Sequence, residues 1–92
     1  MKTEIFYSDD DGMSIESAIK VLNANNSFDG VDAEYRYIEK KYGKKSIHWN
    51  FISQEIIRHN QRNYDLIVLS DKKGNIINLY FDITDFYGKI FC

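Results

Sequence analysis

Asp65-Leu66-Ile67-Val68-Leu69-Ser70, then Asp71-Lys72-Lys73-Gly74, then Asn75-Ile76-Ile77-Asn78-Leu79-Tyr80-Phe81-Asp82-Ile83 is the stretch that decides the fold. Its first arm is apolar and β-branched. Its second arm alternates, with Ile77, Leu79, Phe81 and Ile83 on one face and Ile76, Asn78, Tyr80 and Asp82 on the other. Alternation of this kind is the pattern of a strand with one buried face. Gly74 supplies the positive φ that a short hairpin loop needs. The stretch therefore predicts a β-hairpin, and the rest of the chain is read outward from it.

Upstream, residues 46–60 fit two patterns. As a helix, Trp49, Ile52 and Ile56 line up; as a strand, the segment alternates poorly. Ile56-Ile57 and the polar cluster His59-Asn60-Gln61-Arg62-Asn63 before the next strand favour a strand joined by a turn. Asp29 to Gly43 carries helix signals at both ends. Asp29 is placed to cap a helix over 30–42, Lys40 and Lys41 suit its last turn, and Gly43 follows at the C′ position. Val31, Tyr35, Ile38 and Tyr42 form its apolar stripe, and Asp32 and Arg36 pair at i, i+4.

A first helix is expected over 14–23, because Ile15, Ala18, Ile19 and Leu22 recur at i, i+3, i+4 and i+7 and Ser14 can cap it. Residues 3–8 read as a short strand with Ile5 and Tyr7 on one face and Phe6 on the other. The tail, 84–92, reads as a turn around Gly88 with Phe86, Tyr87, Ile90 and Phe91 packing back. The expectation is an α+β domain over 1–92 in the order β-α-α-β-β-β. Its antiparallel sheet would carry two helices on one face, with Val31, Tyr35 and Ile38 meeting Ile15, Ile19 and Leu22.

Composition bounds the function. The chain has 92 residues, 43% hydrophobic and 28% charged, which is too apolar for intrinsic disorder. No apolar run reaches the roughly 20 residues of a membrane-spanning helix. The N-terminus turns acidic at once and lacks the apolar centre of a secretion signal. The single cysteine, Cys92, cannot close an internal disulfide, so a cytoplasmic location is expected. Net charge is only −2, but it is segregated. Residues 1–34 hold eight acids against two lysines, and residues 35–63 hold seven bases against two acids.

Three stretches together resemble a known pattern: Gly30-Val31-Asp32-Ala33-Glu34-Tyr35-Arg36-Tyr37-Ile38-Glu39, the residues from Trp49 to Gln54, and Tyr80-Phe81-Asp82-Ile83-Thr84-Asp85-Phe86-Tyr87-Gly88. They are similar to small bacterial proteins with a G-V-x-A-E-Y helix and a Y-F-D-I-T-x-F-x-G ending. The resemblance covers residues 12–88. It implies a bacterial or phage setting and brings no activity or catalytic residue. The resembling proteins carry a glycine near position 61, where this chain has Gln61.

Candidate chemistry is sparse. Asp9-Asp10-Asp11-Gly12 follows a strand, as metal-binding carboxylates do, but an EF-hand reading puts Lys20 where the twelfth-position glutamate belongs. A solvated turn is the simpler reading. His48 and His59 are too far apart in sequence for a paired metal motif, and a terminal Cys92 is a poor nucleophile. No G-x-S-x-G, P-loop or G-x-G-x-x-G is present. Neither enzyme activity, nor a cofactor, nor a metal is expected. Asp82 lies opposite the apolar row, where a buried functional acid is one reading, and is expected instead to cap the following turn or pair with a lysine.

Two binding readings remain. Aromatic residues make up 15% of the chain, with seven tyrosines, and tyrosine is favoured on surfaces that contact partners. The first reading is a protein-binding module that acts by occlusion, as inhibitors, immunity proteins or anti-defence proteins do. Tyr37, Trp49 and Tyr87 are its candidate anchors. The second is nucleic-acid binding through the basic 36–62 segment, above all Lys40, Lys41, Lys44 and Lys45, with Tyr37, Tyr42 and Trp49 stacking on bases. A pI of about 5.6 weighs against the second.

Overall fold

The computed structural model describes residues 4–88. The hairpin is present: β4 (Arg62–Asp71) and β5 (Ile76–Asp82) pair antiparallel, with Ile67 opposite Leu79 and Leu69 opposite Ile77. Gly74 turns the chain at φ 87°. Residues 46–60 resolve in favour of the strand. β3 (Trp49–His59) pairs antiparallel with β4 and is irregular between Phe51 and Ser53. This irregularity spoils the alternation in sequence, because an inserted residue shifts the side chains that follow it to the opposite face.

The expected helix over 14–23 is not formed. Residues 12–18 are a turn, and Ile19–Leu22 is a strand, β2. Local polar bonds take the place of helical ones. The Asp11 carboxylate accepts the Met13 N–H at 2.9 Å and the Ser17 hydroxyl at 2.7 Å, and the Gly12 N–H reaches the Ser17 carbonyl. Aspartate and serine side chains compete with the helix ladder in this way. Ile19 and Val21 then point into the core while Lys20 and Leu22 point away. Thus the apolar i, i+3, i+4, i+7 pattern is shared between a turn and a strand.

β1 (Phe6–Tyr7) pairs antiparallel with β2, and β2 pairs parallel with β5, so the five-stranded sheet is mixed, in the order β1-β2-β5-β4-β3. The expected all-antiparallel sheet is corrected at this one junction. Turning 14–23 into a turn and a strand lets β2 occupy the free edge of β5.

One helix, α1 (Ser27–Tyr42), covers one face among the described residues. Asn26, not Asp29, is its N-cap, and its side chain accepts from the Asp29 N–H. Gly43 ends it at φ 103° with its N–H on the Glu39 carbonyl. Asp32 and Arg36 pair on its exposed side.

Its buried face is not the expected stripe. Gly30, Ala33, Glu34 and Ile38 are buried, whereas Val31 is 37% exposed and Tyr35 and Tyr42 are half-buried. Compared with the aliphatic stripe, the helix is turned by about one residue, or roughly 100°. Its small residues permit a close approach: a Cβ on Gly30 would lie 2.3 Å from the Phe86 ring. The core is Ile19, Val21, Ile38, Trp49, Ile67, Leu69, Leu79, Phe81, Ile83 and Phe86, between α1 and the sheet. Ile15 is half-buried and Leu22 is 36% exposed, so neither meets the helix as expected.

Phe86 packs back as the tail reading requires, but Tyr87 is 49% exposed. Ile90, Phe91 and Cys92 lie outside the described residues. No helix among the described residues is long and apolar enough to cross a membrane.

Candidate functional site: a buried carboxyl pair beneath an apolar cleft

The turn of α1 that buries Gly30 and Ala33 also buries Glu34. Glu34 is wholly buried, and Asp65 on β4 is 1% exposed. Two acids in one interior are costly unless a proton or a cation joins them. As a carboxylate, Glu34 would meet no donor at either oxygen, and Asp65 Oδ1 would meet none either. As a carboxylic acid, Glu34 donates a hydrogen bond to Asp65. Burial, reinforced by that bond and by the charge of Asp65, pushes Glu34 up to about 10. Burial also raises Asp65, against the hydrogen bonds from Glu34 and Gln54.

The pair is oriented from β3. Gln54 Nε2 donates to Asp65 Oδ2 at 2.7 Å, and the Tyr35 hydroxyl donates to Gln54 Oε1 at 2.8 Å. Tyr35 thereby fixes which end of the amide faces Asp65.

A cleft of about 350 Å³ opens beside Asp65 and Gln54. Its other walls are Ser27 and Val31 of α1, Ile56 of β3, and Ile83, Phe86, Tyr87 and Gly88 of the C-terminal turn. Ser27 ties that turn to the helix through its hydroxyl on the Phe86 carbonyl. Three wall residues are also exposed: Val31 at 37%, Ile56 at 47% and Tyr87 at 49%. Phe28, one helical turn before Val31, is 69% exposed. A polar floor inside an apolar rim is the usual make-up of a ligand or partner pocket.

The sequence candidates are dispersed. Tyr87 is on this rim. Tyr37 is half-buried, its ring edge-on to Phe81 at 5.7 Å and tilted against Tyr7 at 5.1 Å. Trp49 is 2% exposed, and its indole N–H donates to the Gly43 carbonyl at 2.8 Å. Lys40, Lys41, Lys44 and Lys45 are exposed at the far end of α1, beside the β4–β5 turn that carries Lys72 and Lys73. Lys45 stands over the Phe51 ring at 5.5 Å.

Asp82 caps the following turn as expected, and its ion pair is with an arginine, Arg62, rather than a lysine. It accepts from Arg62 at 2.7 Å and from the Thr84 hydroxyl and N–H. Burial pushes its carboxyl up, but these bonds prevail and hold it below the ordinary range. With Asp10, Glu16, Lys20 and His59 it lines a second, polar cleft on the uncovered face of the sheet. Among the described residues no three His, Cys, Asp or Glu side chains are grouped so as to hold a metal ion.

Sequence reasoning missed Glu34 and Asp65. The available signal was Gly30-x-x-Ala33-Glu34-x-x-x-Ile38, small residues at helical spacing around an acid. In comparisons with protein-family models, with curated proteins and with solved structures, nothing matches the chain.

Proposed function

We propose that this protein is a binding module that acts by occupying a surface of another protein, in the manner of an inhibitor, immunity or anti-defence protein. One observation carries the reading: Val31, Ile56 and Tyr87 are exposed apolar side chains that converge on a single cleft. A small domain gains by burying such residues, and leaving three together at one concavity favours a partner. Tyr87 is the anchor of choice, since a rigid amphipathic ring gives large contact area at low entropy cost. Partner capture from the native host followed by affinity measurement tests this. Tyr87→Ala and Val31→Ser should each weaken the captured complex about tenfold or more, as interface anchors do. Unchanged affinity in both removes the cleft from the interface.

Nucleic-acid binding is the second reading. It is favoured by Lys44 and Lys45 lying at the same end of the molecule as Lys72 and Lys73. Two of its three expected stacking residues are not free to stack, because Trp49 is buried and Tyr37 is engaged in the core. Lys40, Lys41, Lys44 and Lys45 replaced together by Gln decide it. If the lysines carry binding, affinity for DNA or RNA and its salt dependence fall together.

A further inference from the structure

The cleft has an acidic floor, and no cationic side chain among the described residues lines it or pairs with it. Asp65 lines the cleft and is 1% exposed; apart from the proton it shares with Glu34, its Oδ1 meets no donor, and neither do the oxygens of Glu34. The two ion pairs among the described residues, Asp32–Arg36 and Asp82–Arg62, do not involve this pair. Gln54 does not fill the gap, since it is already spent on Asp65 Oδ2 and Tyr35. The walls are aliphatic and aromatic, and about 350 Å³ admits a group the size of a long side chain.

We propose that the cleft is a binding site for an alkyl cation, a guanidinium or ammonium on an aliphatic stem. Its head is held by Asp65 with Glu34 behind, and its stem lies along Val31, Ile56 and Phe86. An anion is excluded by chemistry, because the floor offers acceptors and acids. A neutral apolar group gains the wall contact alone and supplies no donor to the floor. A guanidinium brings a planar fork of donors that matches a carboxylate, and its charge offsets the acid that burial otherwise keeps protonated. Of the titratable groups, Asp65 from β4 lines the cleft, while Glu34 and Tyr35 from α1 act on it indirectly, Glu34 against Asp65 and Tyr35 on Gln54. β3 contributes neutral Gln54, and the 83–88 turn contributes Tyr87 at the mouth.

The cation has two possible sources, a free small molecule or an arginine or lysine of a protein partner. The second rests on the binding reading above; the site itself does not. The full chain is titrated with butylguanidinium and with its neutral isostere butylurea, by calorimetry and amide chemical shifts. Saturable butylguanidinium binding, at least tenfold tighter than butylurea, is expected, with shifts centred on Gln54, Asp65, Ile83 and Phe86. Asp65→Asn should weaken it at least tenfold. Equal binding of the two probes, no saturation by butylguanidinium, or shifts centred elsewhere overturns the proposal, and the wild-type comparison stands even if Asp65→Asn does not fold. N-acetyl-arginine methylamide separates the sources: binding comparable to butylguanidinium supports an arginine side chain, and binding of butylguanidinium alone supports a free cation. A captured protein partner without probe binding overturns the cation site and leaves the occlusion reading standing. Probe binding by a protein without a partner does the reverse.

Discussion

Raising the pH should unfold this protein more readily, and Glu34 sets the magnitude. In the unfolded chain Glu34 titrates near 4.5; in the fold it is pushed up to about 10. An acid whose folded value is raised contributes its full stability below the unfolded value and loses it as pH rises. Between pH 5.5 and 8.5 the unfolded state therefore lacks one proton that the native state holds. Stability falls by about 1.4 kcal/mol per pH unit for each such proton, or about 4 kcal/mol over this range. Relaxation that hydrates an ionised Glu34 trims the loss, and half of it is still about 2 kcal/mol. A domain of this size has roughly 5–14 kcal/mol in total, so the effect is large. Asp65, also raised, acts in the same direction. Asp11, Asp71 and Asp82 are held below the ordinary range and oppose it only in acid, where their protonation costs stability. Urea unfolding followed by Trp49 fluorescence at pH 5.5, 7.0 and 8.5 measures the slope. Glu34→Gln keeps the shape and a donor toward Asp65, so it should flatten the slope and exceed the wild type at pH 8.5 by about 2–4 kcal/mol. A wild-type stability that is level or rising across this range, or an unchanged slope in Glu34→Gln, refutes the shared-proton account.

Three further outcomes are expected. Gln61→Gly should raise stability by about 0.5–1 kcal/mol, read as a rise in Tm: Asn60 and Gln61 sit at φ 49° and 67° in a two-residue hairpin loop, and relief of about 1–2 kcal/mol of left-handed strain outweighs the added entropy of glycine. Gly30→Ala should lose about 1–3 kcal/mol by denaturant titration, because the clash with Phe86 exceeds the roughly 1 kcal/mol by which alanine favours a helix. Ile38→Ala should cost about 2–4 kcal/mol, as for a fully buried aliphatic side chain; a loss under about half a kcal/mol would place α1 on a different face.

The legible parts of the fold were those whose signals were local. The β4–β5 hairpin followed from alternation and Gly74, and the C-terminal end of α1 from Lys40, Lys41 and Gly43. Residues 14–23 were not legible, because an amphipathic pattern shorter than three turns suits a turn followed by a strand equally well. What decided it was the edge of β5, which β2 pairs parallel and which no local signal announces. Trp49 illustrates the same limit. In sequence it adjoins a basic loop and looks available; in the fold it begins β3 and is buried against Gly43. In sequence Tyr87 reads both as packing back with Phe86 and as a partner anchor, and the fold leaves it 49% exposed.

The candidate site was hidden because α1 does not bury its most apolar face. A helix free to choose would turn Phe28, Val31 and Tyr35 inward and leave Glu34 in water. Here Gly30 lets Phe86 come close, and this close approach goes with Glu34 in the interior and Val31 and Phe28 out of it. Both consequences work against stability: one buries an acid, the other exposes aliphatic and aromatic surface. Both also bear on one cleft: Val31 stands in its wall, and Asp65, against which Glu34 is buried, lines it. Departures from local consistency concentrate where a protein does its work. If they were incidental packing errors, they would be scattered over the helix. Their convergence on Asp65, Val31 and Tyr87 is the reason to look for the ligand there rather than at the lysines or at the acidic turn.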